Sequence, residues 1–192
     1  MKIGLFFGSF NPIHTGHLLI ADYFIEFGLL DKIWFVVSPQ NPFKTNYTLI
    51  DENLRLEMLK LAISDNEKFE ACDIEFNLPR PSYTANTLEY MRNQFPEYEF
   101  IPIIGGDNLH SFHLWKDYER ILEKHEIFVY RRAGYYTNPL FANQSNIKIF
   151  DVPLLNISST YIREMLQVGK SIKYLVPDSV EEYIKIHKLY IN

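Results

Sequence analysis

Two histidines three residues apart, His14 and His17, lie in the segment Gly8-Ser9-Phe10-Asn11-Pro12-Ile13-His14-Thr15-Gly16-His17. An apolar run from Ile3 to Phe7 precedes it and a helical pattern beginning at Leu18 follows. Strand, tight loop and helix in that order suit a phosphate. The first backbone N–H groups of a helix lack an internal partner and the macrodipole adds partial positive charge, so an anion is the natural occupant. Gly8 permits a ligand approach that a Cβ would block, and Gly16 lets the chain enter the helix tightly. Two imidazoles at this spacing can converge on the anion and donate hydrogen bonds that strengthen as charge builds on phosphoryl oxygens. The competing reading is a buried turn whose histidines satisfy core hydrogen bonds. A zinc centre would want further soft or imidazole ligands, and the chain has one cysteine.

A second group follows the same logic. Ser158-Ser159-Thr160 sits at the start of a helical pattern, with Arg163 one turn inside. Hydroxyls there serve equally well as helix caps. Gly105-Gly106-Asp107 closes a strand read over Glu99 to Ile104, where open α/β sheets take their ligands. Lys44 lies on a proline-edged loop, Ser38 to Tyr47, and exposure to solvent is the ordinary fate of such a lysine. Trp115, taken alone, reads as a core aromatic on a helix.

The elements that must position these residues alternate regularly. After the first strand and its helix, which ends near Gly28, come a strand Ile33 to Val37 and a helix through Ala62 and Ile63, opened by a capping box at Thr48 to Asp51. A strand is expected over Phe69 to Phe76, a helix over Ala85 to Gln94, and a helical run through Leu109, Leu114, Trp115, Tyr118 and Leu122. Strands over Glu126 to Arg131 and Ile147 to Phe150 flank a polar loop, Asn138 to Asn146, and a last helix, Val180 to Lys188, is capped by Ser179 with Glu182. This order predicts an α/β fold, a doubly wound and mainly parallel Rossmann-like sheet in one domain over 1–192, with a small helical part from about 158.

Composition narrows the class. The 192 residues are 47% hydrophobic and 22% charged, which describes a globular chain. The formal charge of −5 argues against a nucleic-acid binder, which would show a basic face. No apolar run reaches the length of a membrane span, and Met1-Lys2 leads straight into a strand, so a soluble, cytoplasmic protein is expected. The lone Cys72 agrees with a reducing compartment.

The first segment resembles the nucleotidylyltransferase signature G-x-F-x-P-x-H-x-G-H, complete at Gly8, Phe10, Pro12, His14, Gly16 and His17, with Asn11 where an acidic residue is usual. Ile157-Ser158-Ser159-Thr160-x-Ile162-Arg163 resembles the second signature of that superfamily. Pro81-Ser82-Tyr83-Thr84-x-x-Thr87-Leu88, Gly105-Gly106-Asp107-Asn108-Leu109 with Trp115, and Arg131-Arg132-x-Gly134 are similar to the bacterial nicotinate mononucleotide adenylyltransferases. Phe43 stands in place of a common histidine, and Ala133 in place of a proline.

The resemblance implies transfer of an adenylyl group from ATP to nicotinate mononucleotide, with magnesium carried on the triphosphate and no metal held by the protein. It implies that Gly8, Ser9, Phe10, His14, His17, Gly105, Asp107, Arg132, Ser158, Ser159 and Arg163 bind ATP. Lys44, Thr84, Trp115 and Lys116 would bind the mononucleotide, and His14, His17, Lys44 and Arg163 would act in catalysis. A homodimer is a family-level expectation. Nicotinamide mononucleotide or phosphopantetheine as acceptor, or a silent nucleotide sensor, stay open on sequence alone.

Overall fold

The computed structural model describes residues 1–40, 49–132, 134, 138–153 and 155–191. Six parallel strands form one sheet: β1 (Lys2–Gly8), β2 (Lys32–Val37), β3 (Phe69–Cys72), β4 (Glu99–Gly105), β5 (Ile127–Tyr130) and β6 (Ile147–Phe150), in the order β3-β2-β1-β4-β5-β6. The order reverses between β1 and β4, which pair directly with Phe6 beside Ile103. A crevice opens beyond the carboxyl ends of strands at such a switch point. The histidine turn follows one of these strands and Gly105-Gly106-Asp107 ends the other, so the sheet alone brings two of the candidate segments together.

Both faces of the sheet are covered, and this is why the strands read as almost unbroken apolar runs. Phe6, Phe35 and Ile103 pack on one face with residues of α1 (Thr15–Glu26), α2 (Glu52–Ala62), α6 (Ser159–Gln167) and α7 (Asp178–Ile186). Leu5, Trp34 and Ile104 pack on the other with α3 (Thr84–Gln94), α4 (Gly106–His110) and α5 (Tyr118–Lys124). Among the described residues, no helix is long and apolar enough to cross a membrane.

Several elements depart from the sequence reading. The α1 helix starts at Thr15, not Leu18, which draws His17 into its first turn. Asp51 caps α2, accepting from the Asn53 N–H at 2.8 Å; Thr48, the other end of the expected capping box, lies outside the described residues. The strand expected to reach Phe76 stops at Cys72, because β3 is an edge strand paired only along Ile33 to Val36 of β2. The chain then tightens into a 3₁₀ turn over Ile74–Asn77. The long helix expected through Leu122 is broken into α4, a 3₁₀ turn over Phe112–Leu114 and α5. Trp115 between them is extended and Asp117 is left-handed at φ 54°. A short 3₁₀ turn, Pro139–Phe141, also interrupts the loop expected over Asn138 to Asn146. Pro177 precedes α7, and the Ser179 hydroxyl donates to the Leu61 carbonyl of α2 at 3.2 Å instead of capping its own helix.

Candidate phosphate site and adjoining cleft

The histidine turn is built around a buried ring. Phe10 takes a left-handed φ of 44° and sets its ring edge-on to Phe6, Phe35 and His17. A Cβ on Gly8 would stand 2.7 Å from that ring, so only glycine fits beneath it. His14 is the N-cap of α1 and is 6% exposed; its ring stacks on His17 with centroids 3.6 Å apart and planes 26° from parallel. A Cβ on Gly16 would press on the His14 ring at 3.1 Å. The His14 backbone N–H donates to His17 Nδ1 at 3.3 Å, so in the neutral ring the His17 proton sits on Nε2. The turn therefore fixes both the orientation and the tautomer of His17.

Burial first, and the Arg132 guanidinium second, hold the His14 imidazole at about 4 instead of 6.5. At neutral pH it is an uncharged partner, not a second cation. The unfolded chain binds this proton more readily than the folded one, so the stability it contributes is fully present above pH 6.5 and is lost as pH falls towards 4. The loss amounts to about 3 kcal/mol from this one group, at 1.36 kcal/mol per unit. Denaturant titrations of the wild type and of His14→Gln between pH 7 and pH 4 test this. A variant that loses stability as steeply as the wild type would exclude His14 as the source.

The second motif docks onto the first across some 150 residues of sequence. Ser158 caps α6 by accepting from the Tyr161 N–H at 3.1 Å, as the capping alternative anticipates. Ser159 Oγ donates to the Pro12 carbonyl at 2.9 Å, and Arg163 Nη1 donates to the Asn11 carbonyl at 2.8 Å. Arg163 Nη2 also reaches Thr160 Oγ1 at 3.3 Å. The N-terminus of α6 thus faces the same turn as the N-terminus of α1. Asn11 also accepts on its side chain, from the Tyr190 hydroxyl at 2.8 Å.

Beyond β4, Asp107 Oδ2 accepts from Arg132 Nη1 at 2.8 Å. The carboxylate and the cation therefore meet each other at the rim of the crevice. Next to them lies a cleft, partly open to solvent, lined by Gly8, Ser38, Ser82, Thr84, Trp115 and Lys116 among others. Thr84 is the first residue of α3, and the Lys116 ammonium lies 4.5 Å from the centre of the Tyr83 ring. The break in the expected helix is what brings Trp115 to this cleft, its ring edge-on to Phe112. The Trp115 N–H is occupied by the Phe112 carbonyl at 2.9 Å.

Lys44, Phe43 and Ala133 lie outside the described residues. Two buried charged residues at the site, Glu75 and Arg55, are not singled out by the motifs of the sequence. Glu75, 2% exposed, accepts from Thr87 Oγ1 at 2.8 Å, and burial raises its pKa. Arg55 is fully buried against the histidine turn. Arg55 falls on the buried stripe of α2, at helical spacing from Met58, Leu59 and Ala62, so its position in the pattern is the one local sign of its burial, whereas its partners are supplied only by the tertiary fold.

Comparison with known proteins agrees with this geometry. The cytidylyltransferase-like family profile matches residues 5–165. The chain is 50% identical over 192 residues to a probable nicotinate-nucleotide adenylyltransferase of Cytophaga hutchinsonii, covering all of both chains. It is 48% identical over 191 residues to the one of Flavobacterium johnsoniae, covering 99% of each. Among solved structures, the nicotinic acid mononucleotide adenylyltransferase of Plasmodium falciparum complexed with NaAD superposes with a TM-score of 0.81, over 98% of this chain and 97% of that one. At 20% identity that likeness speaks for the fold.

Proposed function

The chain belongs to the nicotinate-nucleotide adenylyltransferases of the cytidylyltransferase-like family, and on that premise we propose how its site makes nicotinate adenine dinucleotide and pyrophosphate from ATP and nicotinate mononucleotide. An oxygen of the mononucleotide phosphate attacks the α-phosphorus of ATP in line with the bridge to the β-phosphate. The new P–O bond forms as the bridging bond breaks, and its electron pair departs with pyrophosphate. A phosphate monoester with a second pKa near 6 is largely dianionic at neutral pH, so no general base is needed. Positioning and charge stabilisation carry the catalysis.

His17 donates from Nε2 to an α-phosphate oxygen, held by the His14 amide and the His14 ring. Arg163 and the amides at the start of α6, with Ser158 and Ser159 at that helix end, face the triphosphate, and Arg132 and Lys44 add charge. Gly8, Ser9 and Phe10 form the floor, with Gly105 and Asp107 on the adenosine side. Trp115 stacks on the pyridine ring, while Thr84 and the Lys116 amide and ammonium meet the nicotinate carboxylate. Magnesium, when bound with ATP, neutralises phosphate charge through the phosphate oxygens and water. Such an ion makes no demand for a protein-built ligand cluster, and no three metal-binding side chains converge among the described residues.

The observation that carries this reading is the docking of Ser159 and Arg163 onto the Pro12 and Asn11 carbonyls, which supports one phosphate site beside the Trp115 cleft. The test is pyrophosphate release from magnesium ATP with nicotinate mononucleotide, nicotinamide mononucleotide or phosphopantetheine as acceptor. We expect kcat/KM for the nicotinate form to lead by at least about tenfold, since the amide leaves donors of the pocket poorly paired. Equal or better use of either other acceptor would overturn the assignment of Thr84, Trp115 and Lys116. No release with any of them would leave only a nucleotide-binding protein.

A further inference from the structure

We infer that Arg55 is a positioning residue for the transfer, a buried cation whose guanidinium aims the backbone donors of the phosphate turn and of the adjoining cleft edge. The inference rests on the reading of the site given above. Arg55 lies on α2, outside every segment so far assigned to substrate, and is 0% exposed. Among the described residues its guanidinium makes four hydrogen bonds, all to backbone carbonyls. Nη1 donates to Ser9 at 2.6 Å and Ser38 at 2.8 Å, Nη2 to Pro39 at 3.2 Å, and Nε to Ile50 at 3.0 Å. One planar group thus joins the turn after β1, the end of β2 and the residue just before the cap of α2.

Peptide geometry turns these bonds into a statement about the site. In a trans peptide the C=O of one residue and the N–H of the next point in opposite directions. Drawing the Ser9 carbonyl inward onto Arg55 turns the Phe10 N–H away from the guanidinium, to the opposite face of the turn. Drawing the Pro39 carbonyl inward does the same for the N–H of Gln40, whose residue lines the cleft. Lysine, a single point donor, cannot hold four carbonyls in one plane, whereas the arginine fork can.

The charge matters as well. No acidic side chain of the described residues lies within ion-pair distance of the Arg55 guanidinium, and burial is the largest influence on it, lowering its pKa. Glu52 and Asp51 favour its charge from beyond ion-pair distance and Arg80 opposes it, and a buried cation with no direct ion pair is costly to fold. A polyanion seated on the far side of the Ser9 peptide recovers part of that cost through a medium of low dielectric. A neutral hydrogen-bonding side chain would tie the same carbonyls without this attraction.

The experiment compares Arg55→Lys, Arg55→Met and, as a destabilised control, Leu59→Ala, a fully buried core substitution on the same helix. Each is assayed well below its own Tm for kcat and for KM of ATP, and titrated calorimetrically with inorganic tripolyphosphate. If Arg55 positions the donors, kcat/KM for ATP falls at least about tenfold in Arg55→Lys, while Leu59→Ala stays within about twofold of wild type. Tripolyphosphate binding weakens at least about tenfold in Arg55→Met. Should Arg55→Lys lose stability yet keep kcat/KM within about twofold, Arg55 would be a structural residue only and the inference is overturned. Arg55→Lys decides the matter if Arg55→Met does not fold. The tripolyphosphate titration needs no acceptor, so a wrong acceptor assignment and a wrong role for Arg55 give different results.

Discussion

Alanine at position 17 lowers the rate of pyrophosphate release about 10²–10³-fold and leaves the affinity for ATP within about threefold. The asymmetry follows from when the His17 hydrogen bond matters. A donor aimed at an α-phosphate oxygen gains most as charge redistributes in the transition state, and binding energy realised only there appears in kcat. One such preorganised donor is worth about 3 kcal/mol. The scaffold supports a fixed donor: the His14 N–H on Nδ1 places the proton on Nε2, and the stacked His14 ring limits tilting. His14 itself is held uncharged, so the effect of removing His17 is not masked by a neighbouring imidazolium. Steady-state rates with saturating nicotinate mononucleotide, beside direct ATP titration, make the check. A variant with kcat within about threefold of wild type would remove His17 from the chemistry.

How much of this was legible in the sequence depends on where each residue's partners lie. The strands read well because a parallel sheet buried on both faces is apolar along its length, as in Lys32–Val37. The histidine turn read well because residue type, spacing and local structure coincide within ten residues. Periodicity misled at Trp115. The expected helical run takes in Leu109, Leu114, Trp115, Tyr118 and Leu122, but Leu114 is exposed and the chain turns sharply at Asp117, so apolar residues of two short helices and the turn between them mimic one helix. The apolar alternation over Phe69 to Phe76 likewise ran past the end of β3 into a 3₁₀ turn. Arg55 and Tyr190 were illegible for another reason. The partners of Arg55 are carbonyls, which every residue carries, and the partner of Tyr190 is Asn11, 179 positions away. No local pattern records either contact.

Arg163 should show the other large effect. Its Nη1 is committed to the Asn11 carbonyl and its Nη2 to Thr160, so the guanidinium is anchored where the start of α6 meets the histidine turn. Such an anchored cation can oppose the charge that grows on pyrophosphate as it leaves, with little reorganisation at the moment of reaction. Arg163→Ala loses both the charge and the anchor, and kcat falls about 10²–10³-fold. Arg163→Lys keeps the charge but has one ammonium to divide between the Asn11 carbonyl and a phosphate, and falls about tenfold or more. The reverse reaction separates this role from a merely structural one. By microscopic reversibility, a residue that stabilises departing pyrophosphate also binds incoming pyrophosphate, so its KM rises in both variants while that of nicotinate adenine dinucleotide moves less. If the two KM values rise together in Arg163→Ala, the arginine acts by holding α6 against the turn, and leaving-group stabilisation must be sought in Arg132 or the helix amides instead.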